Sequence, residues 1–541
     1  TGGAGGYTIR YEGLPPGCGS QNVTELICAP SGGPVVSTVS ATVTDKDGDS
    51  AQSAPITFFV APRSTLAGTL VLNGTIVDNL SSMFWGVNLN FGLGSPGYAN
   101  SSIATYYNAT PIQWIRFPVA GTTVIGQSLT NWPQVETFCR WVDCHSIMTI
   151  GTSNTTLDQD LAAVGAARSQ YGIEPDLWVL GNEPNLWTGN RSMDGPVPYA
   201  DALQNFTQAV RQTDPGAQFL GTEITGTWQG LPYIRSVSQI DGQNLSGLGI
   251  QLYPQIPVGQ TLVDFLNGLT SNDSVSAAVP TIRNASTAGC GSCHLPILLD
   301  EINGGTNPAY SPYRIGYPDV PFIATSVIQA LGSGVAQFAP WTLTATAFRC
   351  DNGMIELQPF DCDSPTLNPL YFLYTDLFRQ LPAGPVETGA VPGLPFVSAA
   401  GFASTTGTDL LLVNSNATVA ADINVTAVFA GAGCVRTSEL DPAHITSPTT
   451  ADYRRPGALM LPLAPLSVVL AVPYPTACPV GSPVSLGSDD SYVWAPAIVI
   501  AAVALAVGLV VRRRRAARRS LQAAPDGTAA EGSTARPPRL S

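Results

Sequence analysis

The chain has 541 residues, of which 44% are hydrophobic and 11% are charged, a balance that argues against intrinsic disorder. It carries 38 acidic and 24 basic residues, for a formal net charge of −14, so it does not offer the basic surface that nucleic acid requires. The length predicts several domains.

The first 62 residues predict a small β module. Short alternating strands and turn clusters are visible in YTIRYEGLPPGC and in VVSTVSATVTDKDGDS. GLPPGC and ATVTDKDGDS resemble the PKD and Ig-like modules that space domains on cell-surface proteins. The resemblance implies a spacer or binding role for residues 1–62, and we expect the module to be incomplete at its N-terminus.

Residues 83–380 show a different rhythm, in which short apolar runs alternate with longer stretches. Two of these stretches predict helices, Leu157 to Tyr171 and Tyr199 to Gln212. Eight βα units in about 260–300 residues are typical of a (β/α)8 TIM barrel, whose strands are buried on both faces. The eight runs are SMFWGVNLN, IQWIRFP, SIMTIG, LWVLGNEP, QFLGTEIT, LGIQLYP, LPILLDEI and VAQFAPW.

Short alternating strands return in residues 385–478, with runs such as FVSAAGFAS and DLLLVNSN. This pattern predicts a β-sandwich domain after the barrel. Residues 63–82 contain one or two further strands, and we expect them to join the same sandwich.

The C-terminal part predicts a membrane anchor. Residues 479–492 read as a linker, and residues 493–511 (VWAPAIVIAAVALAVGLVV) contain no charge. A helix of 19 residues is about 28 Å long, close to the thickness of the bilayer core. Residues 512–541 begin with a cluster of arginines, so the positive-inside rule predicts a cytoplasmic tail and an extracellular ectodomain of a single-pass protein.

Glycosylation sequons and cysteines agree with export. Thirteen Asn-x-Ser/Thr sequons precede the anchor, and ten cysteines form the sequence-local pairs 18/28, 139/144, 290/293, 350/362 and 434/478. In an exported protein such an even count favours disulfides over metal sites. CGSCH at residues 290–294 has the C-x-x-C-H form of a c-type haem attachment. A local disulfide is favoured over haem or redox chemistry, and zinc lacks a fourth ligand.

Carboxylates end two of the apolar runs, where a barrel places its active site. Glu183 ends the fourth run and Glu301 the seventh. Retaining glycoside hydrolysis needs such a pair, about 5–5.5 Å apart. Strand alternation predicts that Asp300 points away from Glu301 and packs under the helices. Glu223, at the end of the fifth run, is a further candidate for the cleft.

WVLGNEPNLW at residues 178–187 resembles the acid/base strand of clan A glycosidases, and GNEPN is closest to glycoside hydrolase family 79, the heparanase and β-glucuronidase family. LPILLDEINGG is similar to the nucleophile strand of that family, WIRFP to its second strand and LYP to its sixth. The resemblance covers roughly residues 66–478.

The resemblance implies a role for each matching residue. Glu183 would be the acid/base, with a raised pKa, and Glu301 the nucleophile. Asn182 would bind the sugar 2-hydroxyl, while Arg116 and Tyr253 would keep Glu301 ionised. The expected sugar contacts are Asn88, Asn90, Trp341 as a stacking floor, and Tyr310 as the nearest tyrosine to a uronate-binding position.

We therefore expect a membrane-anchored, extracellular retaining β-glycosidase of β-glucuronidase type that acts on carbohydrate without a metal or cofactor. A clan A β-glycosidase acting on a neutral sugar is an alternative, because no basic cluster flanks the motifs. A surface adhesion protein that binds glycans without cleaving them is an alternative of another class. An exported redox protein using Cys290 and Cys293 is the third.

Overall fold

A computed structural model of the chain divides it into two compact units, one holding residues Thr1–Val60 and the other Ala61–Gly481. The residues that the structure describes are 7–15, 18–20, 22, 36–59, 64–88, 101–117, 138, 140–151, 155–187, 193–254, 261–304, 313, 316–341, 344–345, 355–358, 361–454 and 458–479.

The N-terminal unit contains an antiparallel sheet built around one long strand, β2. This strand pairs with each of the other three. The turn before β3 is held by Asp45, whose carboxylate accepts hydrogen bonds from the backbone N–H groups of Asp47 and Asp49. The sheet agrees with the predicted β module but does not identify it as PKD-like or Ig-like. Its strands are β1 (Thr8–Glu12), β2 (Val36–Thr44), β3 (Ser50–Gln52) and β4 (Ile56–Phe59).

The larger unit opens with β5 (Ser64–Thr69) and β6 (Val71–Leu80) and continues into a parallel eight-stranded barrel. The barrel strands pair in sequence order, and a bridge between Trp85 and Phe338 joins its two ends. The predicted (β/α)8 barrel is therefore confirmed. Its strands are β7 (Gly86–Asn88), β8 (Trp114–Phe117), β9 (His145–Ile150), β10 (Leu177–Leu180), β11 (Phe219–Thr225), β12 (Gly247–Leu252), β13 (Ile297–Ile302) and β14 (Gln337–Pro340).

Helices connect the strands. The predicted helix Leu157 to Tyr171 has those bounds, because Thr156 and Gln159 form a capping box at its start and Gly172, at φ 65°, ends it. The other predicted helix lies within Pro196–Thr213. The helices are α1 (Ser101–Asn108), α2 (Leu157–Tyr171), α3 (Pro196–Thr213), α4 (Thr227–Ile240), α5 (Leu262–Asn267), α6 (Val275–Cys290), α7 (Asp319–Gly332) and α8 (Pro369–Phe372).

A β-sandwich follows the barrel, as expected. A seven-stranded sheet and a three-stranded sheet enclose a core that includes Leu412, Ile423 and Val469. β6 pairs with β18 (Gly384–Ala390) at the edge of the larger sheet, and β5 pairs with β21 (Val419–Asn424) in the smaller one. The remaining strands are β15 (Thr344–Ala345), β16 (Ile355–Gln358), β17 (Asp361–Leu367), β18 (Gly384–Ala390), β19 (Val397–Ser404), β20 (Gly407–Asn414), β21 (Val419–Asn424), β22 (Cys434–Asp441), β23 (His444–Arg454), β24 (Met460–Leu463) and β25 (Val468–Tyr474).

Disulfides decide the interpretation of CGSCH. Cys290 is bonded to Cys293, so neither sulfur is free to attach haem, and Cys434 is bonded to Cys478 in the sandwich. Within the described ranges, no helix is both long and apolar enough to cross a bilayer. The predicted anchor at residues 493–511 lies outside those ranges.

Candidate active site

The barrel gathers its polar side chains at the carboxyl ends of its strands, as the sequence predicts for this fold. Asn88 ends β7, Arg116 lies in β8, Glu223 lies in β11 and Glu301 lies in β13. Because all eight strands are parallel, these ends form a single mouth. Glu183 follows β10 at the same level, since its backbone N–H donates to the carbonyl of Glu223.

Arg116 is the centre of the site. Its Nε donates to Glu223 Oε1 at 2.6 Å, and its Nη2 donates to Glu223 Oε2 at 2.7 Å and to Asn182 Oδ1 at 2.6 Å. Its Nη1 donates to Asn88 Oδ1 at 2.9 Å and to the carboxylate of Glu301. A guanidinium group has five N–H donors. All five of those on Arg116 are therefore engaged within the protein.

Glu301 is only 5% exposed and is held from two sides. One carboxylate oxygen accepts from Arg116 and the other accepts from the hydroxyl of Tyr253. Burial raises the pKa of Glu301 to about 7, although the charge of Arg116 and the hydrogen bond from Tyr253 both act to lower it. The nearby charge of Glu183 also raises it. The two carboxylates that the sequence singled out thus lie within electrostatic reach of each other.

Glu183 occupies an unusual backbone conformation, with φ 49°, after Gly181 at φ 75°. The turn places it at the start of a short 3-10 helix, Pro184–Leu186. Burial raises the pKa of Glu183, and the charge of Glu223 adds to this, whereas Arg116 and a hydrogen bond with Thr225 lower it. The direction agrees with a group that begins its reaction protonated.

The prediction for Asp300 is wrong. Its side chain is fully buried, and its Oδ2 lies 3.6 Å from the Nε of Arg116, inside the barrel. The pairing of β12 with β13 joins Ile250 to Leu299 and Gln251 to Glu301, so Asp300 is an extra residue at a bulge. A bulge breaks the alternation of side chains on which the prediction rested.

Asn88 also differs from its predicted role as a sugar contact. Its side chain is fully buried and its amide nitrogen donates to the carbonyl of Asp300 at 2.5 Å, while its oxygen accepts from Arg116. Those contacts hold the Asn88 side chain against Arg116 and Asp300, away from solvent. Trp341 is half-buried at the barrel mouth, where its backbone N–H donates to Ile302. The other two predicted sugar contacts, Asn90 and Tyr310, lie outside the described residues.

Two residues of the network were missed in the sequence. Thr149 donates its hydroxyl to Glu223 at 3.1 Å, and Gln251 donates to Asn182 Oδ1 at 2.8 Å. Each is a polar residue inside an apolar strand, in SIMTIG and LGIQLYP respectively. Because a buried polar side chain requires a hydrogen-bond partner, a polar residue inside an apolar strand could have indicated that it belongs to a polar network.

Comparisons with solved structures agree with the fold. An α-L-arabinofuranosidase from Thermotoga maritima is 15% identical, with a TM-score of 0.56 over 75% of this chain and 99% of its own. A family 51 α-L-arabinofuranosidase from Bifidobacterium longum is 13% identical, with a TM-score of 0.57 over 75% and 99%. A family 39 β-xylosidase from Caulobacter crescentus is 13% identical, with a TM-score of 0.52 over 76% and 100%.

Likeness at this level of identity shows the fold alone. Neither a scan of family models nor a search of curated proteins gave a match. The three structures share the barrel with its additional β domain. The Bifidobacterium enzyme is described as a member of family 51 and the Caulobacter enzyme as a member of family 39 of the glycoside hydrolases, and none of the three is described as a member of family 79. The expected membership of family 79 therefore finds no support in these comparisons.

Proposed function

We propose that the protein is a retaining glycosidase that uses Glu301 as nucleophile and Glu183 as acid/base. The observation that carries the proposal is the environment of Glu301, whose two oxygens are oriented by Arg116 and Tyr253 next to a second carboxyl group. Such a pair is what double displacement at an anomeric carbon requires.

In the first step, a Glu301 oxygen bonds to the anomeric carbon while the glycosidic C–O bond breaks. The leaving oxygen takes the proton of Glu183. In the second step, Glu183 removes a proton from water, and the resulting hydroxide displaces Glu301 from the anomeric carbon. Asn182, whose Oδ1 accepts from Arg116 and Gln251, would bind the sugar 2-hydroxyl.

The protonation states set the working pH of this cycle. Glu301 must be ionised to attack, and its pKa of about 7 means that activity falls as the pH drops below neutral. Glu183 must begin protonated, and burial raises its pKa in the required direction.

Two sugar classes are candidates. The GNEPN resemblance favours a β-glucuronide. The full engagement of Arg116 favours a neutral sugar, because no N–H of that guanidinium remains to bind a uronate carboxylate. The arabinofuranosidases and the xylosidase named above support the neutral class.

The test is hydrolysis of a panel of aryl glycosides by the purified chain: β-glucuronide, β-glucoside, β-galactoside, β-xyloside and α-L-arabinofuranoside. Glu183→Gln should lower kcat by about 10²–10⁴-fold. Glu301→Gln should abolish turnover, whereas Glu387→Gln in the sandwich should leave it unchanged. Turnover that survives in the Glu301 variant would refute the nucleophile assignment. No turnover of any glycoside would favour a glycan-binding surface protein.

We further propose that residues 493–511 anchor the protein in a membrane with its barrel outside the cell. The support is the uncharged 19-residue run followed by arginines. The measurement is partition of the full chain into the membrane fraction after alkaline carbonate washing. Release into the soluble fraction would contradict the proposal.

A further inference from the structure

A second pair of carboxyl groups lies beneath the proposed catalytic pair. Glu223 and Asp300 are both fully buried inside the barrel and both contact Arg116. Neither has a part in the cleavage steps above. A buried carboxyl group without a structural need for it is costly, so this pair requires an explanation.

Matched backbone irregularities deliver the two side chains. In the pairing of β11 with β12, Thr222 pairs with Gly249 and Ile224 with Ile250, so Glu223 is an extra residue at a bulge. Asp300 is the extra residue on the other side of β12. Glu223 also has φ 48°, which is rare for a residue with a side chain. Bulges that re-aim side chains recur beside active sites.

Gly249 provides the room for the pair. A Cβ atom at this position would lie 2.9 Å from Asp300 Oδ2 and 3.1 Å from the Cγ of Glu223. Both carboxyl side chains therefore cross the space above one glycine of the strand between them. A Cβ at this position would force these side chains to shift.

The two groups differ in the hydrogen-bond donors that reach them. Glu223 accepts from both Arg116 and Thr149. Within the described part of the chain, no N–H or O–H group donates to either oxygen of Asp300, which is fully buried. A buried carboxylate without any donor is costly, and a proton on the carboxyl group removes the charge that makes it so.

Charge balance leads to the same assignment. Arg116 contributes one positive charge and contacts the carboxylates of both Glu223 and Glu301. A third ionised carboxylate in this buried space would repel both. Burial raises the pKa of Asp300 well above its usual range, and the charges of Glu223 and Glu301 raise it further against the opposing effect of Arg116.

We propose that Asp300 carries a proton in the folded protein, and that Glu223 acts as a positioning residue that holds Arg116 against Glu301. The Glu223 carboxylate engages the Nε and Nη2 of the guanidinium. The remaining Nη1 is thereby directed to Glu301. The catalytic consequence rests on the proposed function, but the proton on Asp300 does not.

Several other titratable or charged side chains face Glu223 and Asp300 from the neighbouring strands and helices. Tyr199 of α3 lies near Glu223: burial raises the pKa of Tyr199, and the charge of Glu223 raises it further. The Tyr199 hydroxyl donates to the carbonyl of Leu180. Among the residues that the structure describes, these groups are Arg116 of β8, Glu183 after β10, Tyr199 of α3, Tyr253 after β12 and Glu301 of β13.

Infrared difference spectroscopy of the full chain at pH 8 tests the proton on Asp300. The wild type should show the C=O absorption of a protonated carboxyl group, and Asp300→Asn should lose it. Asp241→Asn is the matched control, since Asp241 is a buried carboxylate that accepts from Thr207 and Asn244. That variant should keep the absorption. If Asp300→Asn keeps the full protonated-carboxyl absorption of the wild type, the proposal is overturned.

A second measurement covers the case in which Asp300→Asn does not fold. Wild-type protein with ¹³C-labelled aspartate carboxyl carbons should retain one protonated aspartate at pH 8. Spectra in which every aspartate is ionised at that pH would overturn the proposal independently of any variant and of any enzymatic activity.

The positioning role is read from the pH dependence of kcat/KM on whichever aryl glycoside the wild type cleaves. Glu223→Gln removes the carboxylate that holds Arg116 against Glu301, so the pKa of Glu301 should rise and the acidic limb should move up by about one pH unit. Asp300→Asn replaces an already neutral group and should move the limb by much less. An equal shift in both variants would overturn the neutral state of Asp300. Absence of turnover in the wild type would refute the glycosidase proposal while leaving the infrared result intact.

Discussion

Tyr253→Phe is the substitution that isolates one contribution to the state of Glu301. The hydroxyl of Tyr253 donates to one carboxylate oxygen and lowers the pKa of Glu301, which burial otherwise raises to about 7. Phenylalanine keeps the ring and removes only this donor. The account predicts that the pKa of Glu301 rises and that the acidic limb of the rate profile moves to higher pH.

The size of the shift follows from the type of bond. A hydrogen bond to a charged group contributes about 1.5–3 kcal/mol. One pKa unit corresponds to about 1.4 kcal/mol, so the pKa of Glu301 should rise by about one to two units. At pH 6 the ionised fraction of Glu301 would then fall by about 10- to 100-fold, and kcat/KM would fall with it.

The assay is kcat/KM for a cleaved aryl glycoside between pH 4 and 9, which reports the free enzyme. Tyr233→Phe is the control, because that hydroxyl is hydrogen-bonded to the backbone of Gly195 and not to a carboxylate. Its profile should match that of the wild type. An acidic limb of the Tyr253 variant that stays in place, or that moves to lower pH, would refute the reasoning.

Two further predictions concern stability. Burial raises the pKa of Asp160 from 3.8 to about 6, so the folded chain binds a proton that the unfolded chain releases. The free energy of unfolding therefore falls by roughly 2 kcal/mol as the pH rises from 4 to 6. Urea unfolding of Asp160→Asn should show a gain over the wild type at pH 7 that is absent at pH 4; a gain independent of pH would contradict the assignment. Replacing Cys434 and Cys478, which are 44 residues apart, with alanine should lower the free energy of unfolding by about 4 kcal/mol. Replacing Cys290 and Cys293, which are three residues apart, should lower it by about 1.5 kcal/mol, because the closed loop is much shorter. If the two double variants lose the same free energy of unfolding, loop closure is not the source of the stabilisation by these disulfides.

The barrel could be predicted because its strands are buried on both faces and therefore appear as continuous apolar runs. The candidate carboxylates could be predicted because a parallel barrel brings all of its strand ends to one mouth. Glu183 and Glu301 end runs that are 118 residues apart in sequence, and the structure places them within electrostatic reach.

The interior network could not be predicted in the same way. A bulge inserts one residue into a strand, and ILLDEI carries no local signature that separates it from a regular strand. Alternation therefore placed Asp300 on the wrong face. Asn88 looked like a sugar contact for a similar reason: its position at a strand end was visible, but its partner, Arg116, belongs to the next strand.

The most direct measurement of the central claim is covalent trapping. The chain is incubated with a 2-deoxy-2-fluoro glycoside of the sugar that it cleaves, carrying an activated leaving group, and is then digested and analysed by mass spectrometry. The account predicts a glycosyl adduct on the peptide that contains LLDEING, at Glu301. An adduct on another carboxylate, or cleavage of the natural glycoside with inversion and without any adduct, would contradict it.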